Sequence, residues 1–278
     1  MVFMEPEVLI AIIVGAVLVF LGLVYLVLIA PSFRRVPREY TQVKYAHRGL
    51  HGEGRAENSM SAFRAAIDAG FGIELDVRLS SDGVLVVFHD DTLDRVTGVS
   101  GRVDAFTARE LSEISLSGTA DTVPTFREVL ELIDGRVPLL IEIKEDAGKS
   151  AVSSATAEIM RDYKGAYLVQ SFNPLSLRNY AKGMPSTPRG ILSHRYYEYE
   201  SYRKPLYFLL QCLLLNRLCR PSFVSYDFRH ASNLSFKIAR SLFRATTFAW
   251  TVRSKEDEAL AKKHGFSTII FENFVPEK

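Results

Sequence analysis

Residues 72–79 read Gly-Ile-Glu-Leu-Asp-Val-Arg-Leu, an alternation of apolar and acidic side chains that predicts a β-strand. Alternate side chains of a strand share a face, so Glu74 and Asp76 point one way while their apolar neighbours point the other. Two carboxylates buried on one face repel each other and lose hydration unless a cation lies between them. Carboxylate oxygens are ligands that suit Mg²⁺ or Ca²⁺. A solvated edge strand is the alternative, but Phe71–Val77 contains almost no other polar residue.

Short stretches rich in β-branched residues alternate with helical patterns on both sides of this segment. Together with Gly72–Leu79, the predicted strands are Lys44–His47, Val84–Phe88, Leu139–Lys144, Tyr167–Ser171, Gly190–Ser193, Phe223–Tyr226, Thr246–Thr251 and Thr268–Phe271. The predicted helices include Ser59–Ala69, Thr125–Ile133, Ala151–Tyr163, Asn233–Phe243 and Lys255–His264. Strands that alternate with helices favour a parallel sheet. All of the strands except Val84–Phe88 can close a (β/α)8 TIM barrel of about 230 residues, and a doubly wound open sheet is the alternative.

Two segments do not fit a bare barrel. Asp91–Thr122 has no strong strand or helix period and many Gly, Ser and Thr residues, which predicts an insertion after a strand. Arg203–Arg220 is very apolar and has basic residues at both ends. It is predicted to be either an interfacial helix in the headgroup layer of a membrane or an ordinary buried or oligomer-forming helix.

The alternation of Glu74 and Asp76 recurs in Leu139-Leu-Ile-Glu-Ile-Lys144, at the end of another predicted strand. Active-site groups of parallel barrels lie at the carboxyl ends of the strands. Glu142 is therefore a third candidate metal ligand, and Lys144 supplies a fixed positive charge for a phosphate. A purely structural Glu–Lys pair explains this segment equally well.

Two of the six histidines directly follow predicted strands: His47 in Tyr45-Ala-His-Arg-Gly49 and His89 in Val86-Val-Phe-His-Asp90. Because imidazole titrates near neutral pH, the two are predicted to be an acid/base pair. Hydrolysis of a phosphodiester needs one group to take a proton from the nucleophile and another to protonate the leaving alkoxide. A metal and cations such as Arg48 stabilise charge on the phosphoryl oxygens. A surface or satisfied core histidine is the ordinary alternative.

The N-terminal segment differs from the rest of the chain. Residues 8–30 contain no charged side chain, and a helix of this length rises far enough, at ~1.5 Å per residue, to cross a hydrocarbon core of ~30 Å. A cleaved signal peptide usually has a basic start and a shorter apolar stretch, whereas Glu5 and Glu7 precede this one. A buried core helix is the other alternative. Residues 1–30 are predicted to be a transmembrane anchor.

The flanks of the predicted anchor indicate its orientation. Arg34, Arg35, Arg38 and Lys44 follow it, and basic residues stay preferentially on the cytoplasmic side. This predicts a single-pass protein of the cell membrane whose large domain, residues 42–278, lies in the cytoplasm. Residues 31–41 contain two prolines and several charges and are predicted to be the linker between anchor and domain.

Composition excludes some classes of function. A formal net charge of +2 for 278 residues gives no indication of nucleic-acid binding. The only cysteines, Cys212 and Cys219, lie in an apolar stretch, so no disulfide framework is implied. The oligomeric state is not predicted.

Several of these stretches together resemble the glycerophosphodiester phosphodiesterase family. The matching segments are AHRG (46–49), AENSMSAF (56–63), ELDVRLSSDGVLVVFHDDTLDRVTG (74–98), VPTFREVL (123–130), LLIEIK (139–144), QSFNP (170–174) and WTV (250–252). They occur in the family's order and span nearly the whole region after the linker. The combination is specific, although no single segment is.

The resemblance implies a TIM barrel with a small insertion after the second strand, which agrees with the irregular Asp91–Thr122. It implies His47 and His89 as the acid/base pair, and one Ca²⁺ or Mg²⁺ as cofactor. Its remaining site residues are, as metal ligands, Glu74, Asp76 and Glu142, and as substrate-binding residues, Arg48, Glu57, Lys144, Phe172 and Trp250. The implied reaction cleaves glycerophosphodiesters to sn-glycerol 3-phosphate and an alcohol, with initial attack by the glycerol hydroxyl next to the phosphate.

The chain departs from the family pattern at the wall of the pocket. The family's Pro-Glu-Asn-Thr motif reads Ala56-Glu-Asn-Ser59, and Arg253 stands where Asn is common. The last strand often ends Ile-Ile-Thr-Asp-x-Pro in the family and here reads Ile269-Ile-Phe-Glu-Asn273. Either Glu272 replaces the Asp or the strand is offset. These changes bear on the substrate and not on the catalytic centre.

Two rival functions stay open from the sequence. A phospholipase C- or D-like enzyme that acts on lysolipids or intact phospholipids fits the anchor and the apolar Arg203–Arg220 segment. A membrane-anchored sensor that binds phosphodiesters without cleaving them fits the same barrel.

Overall fold

The computed structural model describes residues 5–146 and 148–277. Eight parallel strands form a closed barrel in which β1 pairs with both β2 and β9. The barrel strands are β1 (Tyr45–Ala46), β2 (Gly72–Leu79), β4 (Leu139–Ile143), β5 (Tyr167–Ser171), β6 (Arg189–Ser193), β7 (Phe223–Asp227), β8 (Thr246–Val252) and β9 (Thr268–Phe271). The predicted (β/α)8 barrel is confirmed, and the open-sheet alternative is wrong because β1 closes the ring.

The ninth strand, β3 (Leu85–Val87), pairs antiparallel with β2 and lies outside the barrel. The helices are α1 (Pro6–Ile29), α2 (Arg38–Thr41), α3 (Met60–Asp68), α4 (Asp94–Thr97), α5 (Ala108–Ser112), α6 (Phe126–Ile133), α7 (Ala151–Ile159), α8 (Pro174–Gly183), α9 (Pro205–Gln211), α10 (Asn216–Cys219), α11 (Leu234–Ser241) and α12 (Lys255–Lys263). Side-chain caps set several starts; Thr125 and Glu128 form a capping box on α6. The prediction that one helix reaches Tyr163 is wrong, because α7 ends at Ile159.

The insertion after the β2–β3 hairpin is a small helical unit. It contains α4, a 3₁₀ turn at Val103–Ala105 and α5, and its apolar residues form a cluster separate from the main core. Leu93, Leu111 and Leu116 are fully buried in that cluster. The insertion therefore has its own packing and contributes polar side chains to the carboxyl side of the barrel.

The chain after the apolar helix descends along one flank of the barrel. Tyr25 Oη lies 2.8 Å from Ser235 Oγ in the first turn of α11, and Asn216 Nδ2 donates to the Ile29 carbonyl oxygen at 2.8 Å. The Ser32 N–H then donates to the carbonyl oxygen of Pro221, just before β7. The segment predicted to be a linker continues below the barrel, where Val36 and Tyr40 pack against the amino ends of the strands.

The apolar Arg203–Arg220 segment is not one helix, which corrects the sequence interpretation. Pro205 begins α9, and α10 is a separate short helix. Between them Leu213 has a positive φ of 56° and is buried, so the chain turns inward instead of continuing as a helix. This connection between β6 and β7 lies over the carboxyl side of the barrel.

Candidate active site

Three carboxylates meet at the carboxyl end of two neighbouring strands. Glu74 and Asp76 lie on the inner face of β2, and strand register places Asp76 opposite Glu142 of β4. All three side chains are buried. Each side chain offers one carboxylate oxygen, and these three oxygens lie within 4.8 Å of one another. The sheet register thus brings together two segments separated by more than sixty residues, as the alternating patterns predicted.

The carboxylate cluster fits a divalent cation. Among residues 5–146 and 148–277, Asp76 Oδ1 and Glu142 Oε1 are buried without a hydrogen bond. Lys144 Nζ lies 3.2 Å and 2.5 Å from these two oxygens, close enough for ion pairs but without the angles of a hydrogen bond. Buried carboxylate oxygens without donors are costly, and a cation with oxygen preference removes that cost.

The electrostatics of the cluster point the same way. Burial, together with the charges of Asp76 and Glu142, raises the pKa of Glu74 well above its usual value. Burial also raises the pKa of Asp76, but Lys144, His89 and Arg48 outweigh it and bring that pKa far below the ordinary range. Burial lowers the pKa of Lys144, but Asp76 and Glu142 raise it more strongly. Lys144 and Arg48 supply two positive charges against three carboxylates, which leaves room for a cation.

A tight turn after β1 brings the backbone of Arg48 to the cluster. The Arg48 N–H donates to Glu74 Oε2 at 3.0 Å, and Arg48 itself has a φ of 55°. The next residue, Gly49, has a φ of 79°, and a Cβ there would lie 2.9 Å from the Cβ of Ala62. Glycine is therefore required at this position for both backbone conformation and space.

The side chain of Arg48 belongs to a polar network on the insertion side. Its Nη1 donates to Glu57 Oε1 at 2.7 Å, and its Nε lies 3.6 Å from Asp76 Oδ2. Arg95 of α4 binds both oxygens of Glu57, at 2.7 and 2.9 Å. Asn58 Nδ2 donates to Asp76 Oδ2 at 2.9 Å and so orients that carboxylate. Glu57 thus lies between two arginines, as part of the frame of the site.

His47 lies on the β9 side of the centre and contacts an acidic residue from the far end of the chain. Its Nδ1 is 3.2 Å from Glu272 Oε2, which also accepts from Arg253 Nη2 at 3.0 Å. Burial lowers the pKa of His47 to about 4, and Glu272 opposes this only in part. Burial raises the pKa of Glu272, but His47 and Arg253 bring it to about 2. A neutral His47 that donates from Nδ1 leaves Nε2 as a proton acceptor.

His89 lies on the insertion side and has its own carboxylate. Its Nδ1 is 2.6 Å from Asp90 Oδ1, and Arg95 Nε donates to Asp90 Oδ2 at 2.5 Å. Burial raises the pKa of Asp90, but His89 and Arg95 bring it well below its usual range. Arg78 donates twice to the His89 carbonyl oxygen and holds the backbone. Arg95 therefore joins the carboxylate of His89 to Glu57.

Aromatic side chains form the wall opposite the histidines. Phe172 packs edge-on against Trp250, with ring centroids 5.4 Å apart, and Lys144 Nζ lies 5.8 Å from the Phe172 ring centroid. Tyr196, from the β6–β7 connection, contacts Phe172 at 6.5 Å. Among the described residues, Tyr196 Oη and Trp250 Nε1 are buried without a hydrogen-bond partner. The wall thus contains two buried donors without a partner among the described residues.

The structure brings all ten residues singled out by sequence to one end of the barrel. Sequence reasoning did not predict the residues that support the histidines, namely Asp90, Arg95 and Arg253, nor the wall residue Tyr196. Glu272 was considered only as a replacement for a family Asp, and its contact with His47 was not predicted. Asp90 follows His89 directly, so the adjacent pair His-Asp was a usable signal. The other contacts join residues far apart in the sequence and left no local pattern.

Comparison with known proteins identifies relatives of the whole barrel. The sequence profile described as the Glycerophosphoryl diester phosphodiesterase family matches residues 47–275. A glycerophosphodiester phosphodiesterase from Caldanaerobacter subterraneus is 34% identical over 53% of this chain, although the alignment spans only 65% of that relative. Human glycerophosphodiester phosphodiesterase 1 is 26% identical over 84% of this chain and 78% of its own length.

Solved structures agree with this comparison. A glycerophosphodiester phosphodiesterase from Thermotoga maritima superposes with a TM-score of 0.64 at 28% identity, and the match covers 82% of this chain and 94% of that one. A phosphodiesterase from Oleispira antarctica, solved with the product sn-glycerol-3-phosphate, has a TM-score of 0.65 at 24% identity over 82% of this chain and 92% of its own. The second likeness shows the barrel fold.

Proposed function

The chain belongs to the glycerophosphoryl diester phosphodiesterase family, and on this premise we propose that it hydrolyses glycerophosphodiesters to sn-glycerol 3-phosphate and an alcohol. The observation that carries the proposal is one buried cluster of three carboxylates with two histidines, each held by its own carboxylate through Nδ1. A site that only bound a phosphodiester would not need two oriented imidazoles. This argues for the enzyme over the sensor.

Glu74, Asp76 and Glu142 would hold one divalent cation, Ca²⁺ or Mg²⁺. In support of this, Asp76 and Glu142 each have a buried carboxylate oxygen that accepts no hydrogen bond from the described residues. When bound, such an ion supplies positive charge for the phosphoryl oxygens. Lys144 and Arg48 add two fixed positive charges to the same region. Phe172 and Trp250 would pack against the alcohol part of the substrate, and Glu57 keeps Arg48 in place.

The two histidines divide the proton transfers. In our assignment neutral His47 takes the proton of the attacking hydroxyl through Nε2, since its pKa is lowered to about 4. His89 then gives a proton to the oxygen of the departing alcohol as the bond between that oxygen and phosphorus breaks, which leaves a cyclic phosphate on the glycerol. Water opens this ring as His89 takes a proton from the water and His47 returns its proton to the glycerol oxygen, which releases sn-glycerol 3-phosphate and restores both histidines. Glu272 and Asp90 keep each imidazole oriented through Nδ1.

We also propose that α1 anchors the enzyme in the cell membrane, with residues 31–41 as connector and residues 42–278 as the cytoplasmic enzyme domain. The helix Pro6–Ile29 is long and apolar enough to cross a bilayer and is almost entirely exposed. By length and composition alone a signal sequence remains the rival. Extraction of membranes with alkaline carbonate separates the two, because a spanning helix stays in the pellet.

The proposed activity is tested by the release of glycerol 3-phosphate from glycerophosphocholine and glycerophosphoglycerol by the full chain. We expect turnover that is lost with a chelator and restored by Ca²⁺ or Mg²⁺. A Glu142→Gln variant is expected to lose metal-dependent turnover, while Glu145→Gln, three residues further along the chain, serves as control. Hydrolysis of lysophospholipids alone would instead support the phospholipase-like alternative, and binding without turnover would support the sensor.

A further inference from the structure

The direction in which α1 leaves the barrel is set by three contacts. Tyr25 reaches the first turn of α11, at the carboxyl side of the strands, whereas Ser32 binds Pro221 at their amino side. Ile29 lies between Tyr25 and Ser32 in the chain, and its carbonyl oxygen accepts a hydrogen bond from Asn216 Nδ2. Since the chain descends from the catalytic side as it leaves the helix, the N-terminal part of α1 projects on the same side as the site.

That projecting part is long enough to reach across a bilayer. Residues 6–24 precede the Tyr25 contact and rise about 28 Å as a helix. The large apolar side chains from Val8 to Val24 in this part are exposed. If α1 spans the bilayer, the near lipid surface therefore lies on the catalytic side of the barrel, close to the level of Tyr25.

The connection between β6 and β7 lies directly beside this exit point. The carbonyl oxygen of Gln211, at the end of α9, accepts from Asn233 Nδ2 and Tyr226 Oη at 3.3 and 3.0 Å. Asn233 caps α11, whose second residue, Ser235, contacts Tyr25. The helix α9 is thereby fixed against the same turn of α11 that meets the exit of α1.

The outer surface of this connection has the chemistry of a membrane interface. Leu206 and Phe208 of α9 are 51% and 45% exposed, and the adjacent Leu234 of α11 is 66% exposed. Arg203 and Lys204 directly precede α9 and are exposed. Exposed apolar side chains next to basic ones are typical of segments that enter the headgroup layer.

The same connection also reaches the site. Tyr196 contacts both Phe172 of the pocket wall and Tyr202, with ring centroids 6.5 and 5.9 Å apart. Tyr202 in turn packs against Tyr207 of α9 at 4.6 Å. A continuous row of aromatic rings therefore leads from the pocket wall to the apolar outer surface.

We propose that the mouth of the site faces the bilayer and that residues 199–208 together with Leu234 form a rim that rests on the lipid surface, so that the substrate enters from the membrane. The inference rests on the proposal that α1 spans the membrane. It identifies phosphodiesters that carry an acyl chain, such as lysophospholipids, as substrates that the rim recruits alongside soluble glycerophosphodiesters.

The position of the rim is tested with tryptophan as a depth probe in the full chain. Proteoliposomes of phosphatidylcholine and phosphatidylglycerol, part of the phosphatidylcholine brominated on its acyl chains, quench tryptophans near the lipid. Leu206→Trp, Phe208→Trp and Leu234→Trp are compared with Val275→Trp, at a 61% exposed site after β9 that does not belong to the rim. Phe20→Trp reports on α1, and the signal of Trp250 in the unchanged protein is subtracted.

We expect quenching of the added tryptophan at 206, 208 and 234 and none at 275. Quenching at position 20 with none at the three rim positions overturns the rim, as does equal quenching at 275. Absence of quenching at position 20 shows instead that α1 is not in the bilayer. A rim covered by a second copy of the chain gives unquenched tryptophans and also overturns the proposal.

A second experiment links the rim to substrate entry. The double variant Leu206→Glu/Phe208→Glu replaces two lipid-facing side chains and is expected to hydrolyse vesicle-borne lysophosphatidylcholine roughly tenfold more slowly, with unchanged turnover of soluble glycerophosphocholine. Val275→Glu is expected to change neither rate. Equal loss on both substrates, or on neither, contradicts the rim as an entry surface. Lack of turnover of any phosphodiester by the unchanged chain would refute the proposed function and leave the fluorescence result standing.

Discussion

The two histidines of the site have the same local arrangement in different surroundings. Each places Nδ1 against a carboxylate that also binds an arginine: Glu272 with Arg253 for His47, Asp90 with Arg95 for His89. His47 is enclosed by the ends of β1 and β9, and burial lowers its pKa to about 4. His89 follows the β2–β3 hairpin, is more exposed, and depends on an arginine from the insertion.

Under the proposed assignment, this difference in burial separates the proton acceptor from the proton donor. The closed barrel buries His47 and keeps it neutral, which suits an acceptor. The insertion leaves His89 nearer to solvent, with Nδ1 against Asp90, whose pKa is lowered by His89 and Arg95. In the proposed assignment the insertion therefore takes part in catalysis, and variants on each side of the site test this.

The largest effect is expected from removal of either imidazole. His47→Ala and His89→Ala should each lower kcat on glycerophosphocholine by about 10²–10⁴-fold, because each removes one proton transfer. Metal affinity, measured by calorimetry, should stay nearly unchanged, since neither residue belongs to the carboxylate cluster. His264→Ala, on the outer flank, is the control. Full activity in either site variant would refute the acid/base assignment.

A smaller and unequal effect is expected from the two supporting carboxylates. Asp90→Asn should lower kcat by about 100-fold and Glu272→Gln by about 10-fold, because the buried ring of His47 keeps its orientation better than the exposed ring of His89. Steady-state kinetics of the two variants measure the ratio. Equal losses would show that burial does not compensate for a missing carboxylate.

The dependence of the free energy of unfolding on pH tests the lowered pKa of the buried His47. The pKa of His47 is about 4 in the folded protein and 6.5 for an unperturbed histidine of the unfolded chain, so between these values the unfolded chain binds a proton that the barrel does not. Stability is therefore expected to fall as the pH decreases from 6.5 to 4, by up to ~3 kcal/mol from this residue. The free energies of unfolding in urea, measured for the unchanged chain and for His47→Gln, should approach each other as the pH falls to 4. Parallel curves would contradict the lowered pKa.

The smallest effect concerns the link between the insertion and the barrel. Arg95→Met removes the side chain that joins Asp90 to Glu57 and should lower kcat by only about 3- to 10-fold, because an exposed ion pair is worth little. The loss should be much smaller in an Asp90→Asn background, as a double-mutant cycle measures. Arg109→Met, also exposed on the insertion, is the control. If the losses of kcat in Arg95→Met and Asp90→Asn were additive, Arg95 would not act through Asp90 and His89.

Much of the barrel and its centre could be predicted because the relevant patterns are local. The period-two alternation that puts Glu74, Asp76 and Glu142 on an inner face follows from strand geometry. Strand after helix implies parallel pairing, and parallel strands place their carboxyl ends together. These relations hold wherever the segments lie in the final fold.

Only the tertiary structure decided which distant side chains meet. Glu272 reaches His47 across 225 positions, and Arg95 reaches both Glu57 and Asp90, through contacts that no period in the chain encodes. Leu213 turns inward and is buried in the main core, and Tyr25 of α1 meets Ser235 of α11. The sequence by itself determined the strands and the residues of the centre, since backbone geometry acts over a few residues. The contact of His47 with Glu272 was decided by barrel closure, because closure brings the first and last strands together although they lie far apart in the chain.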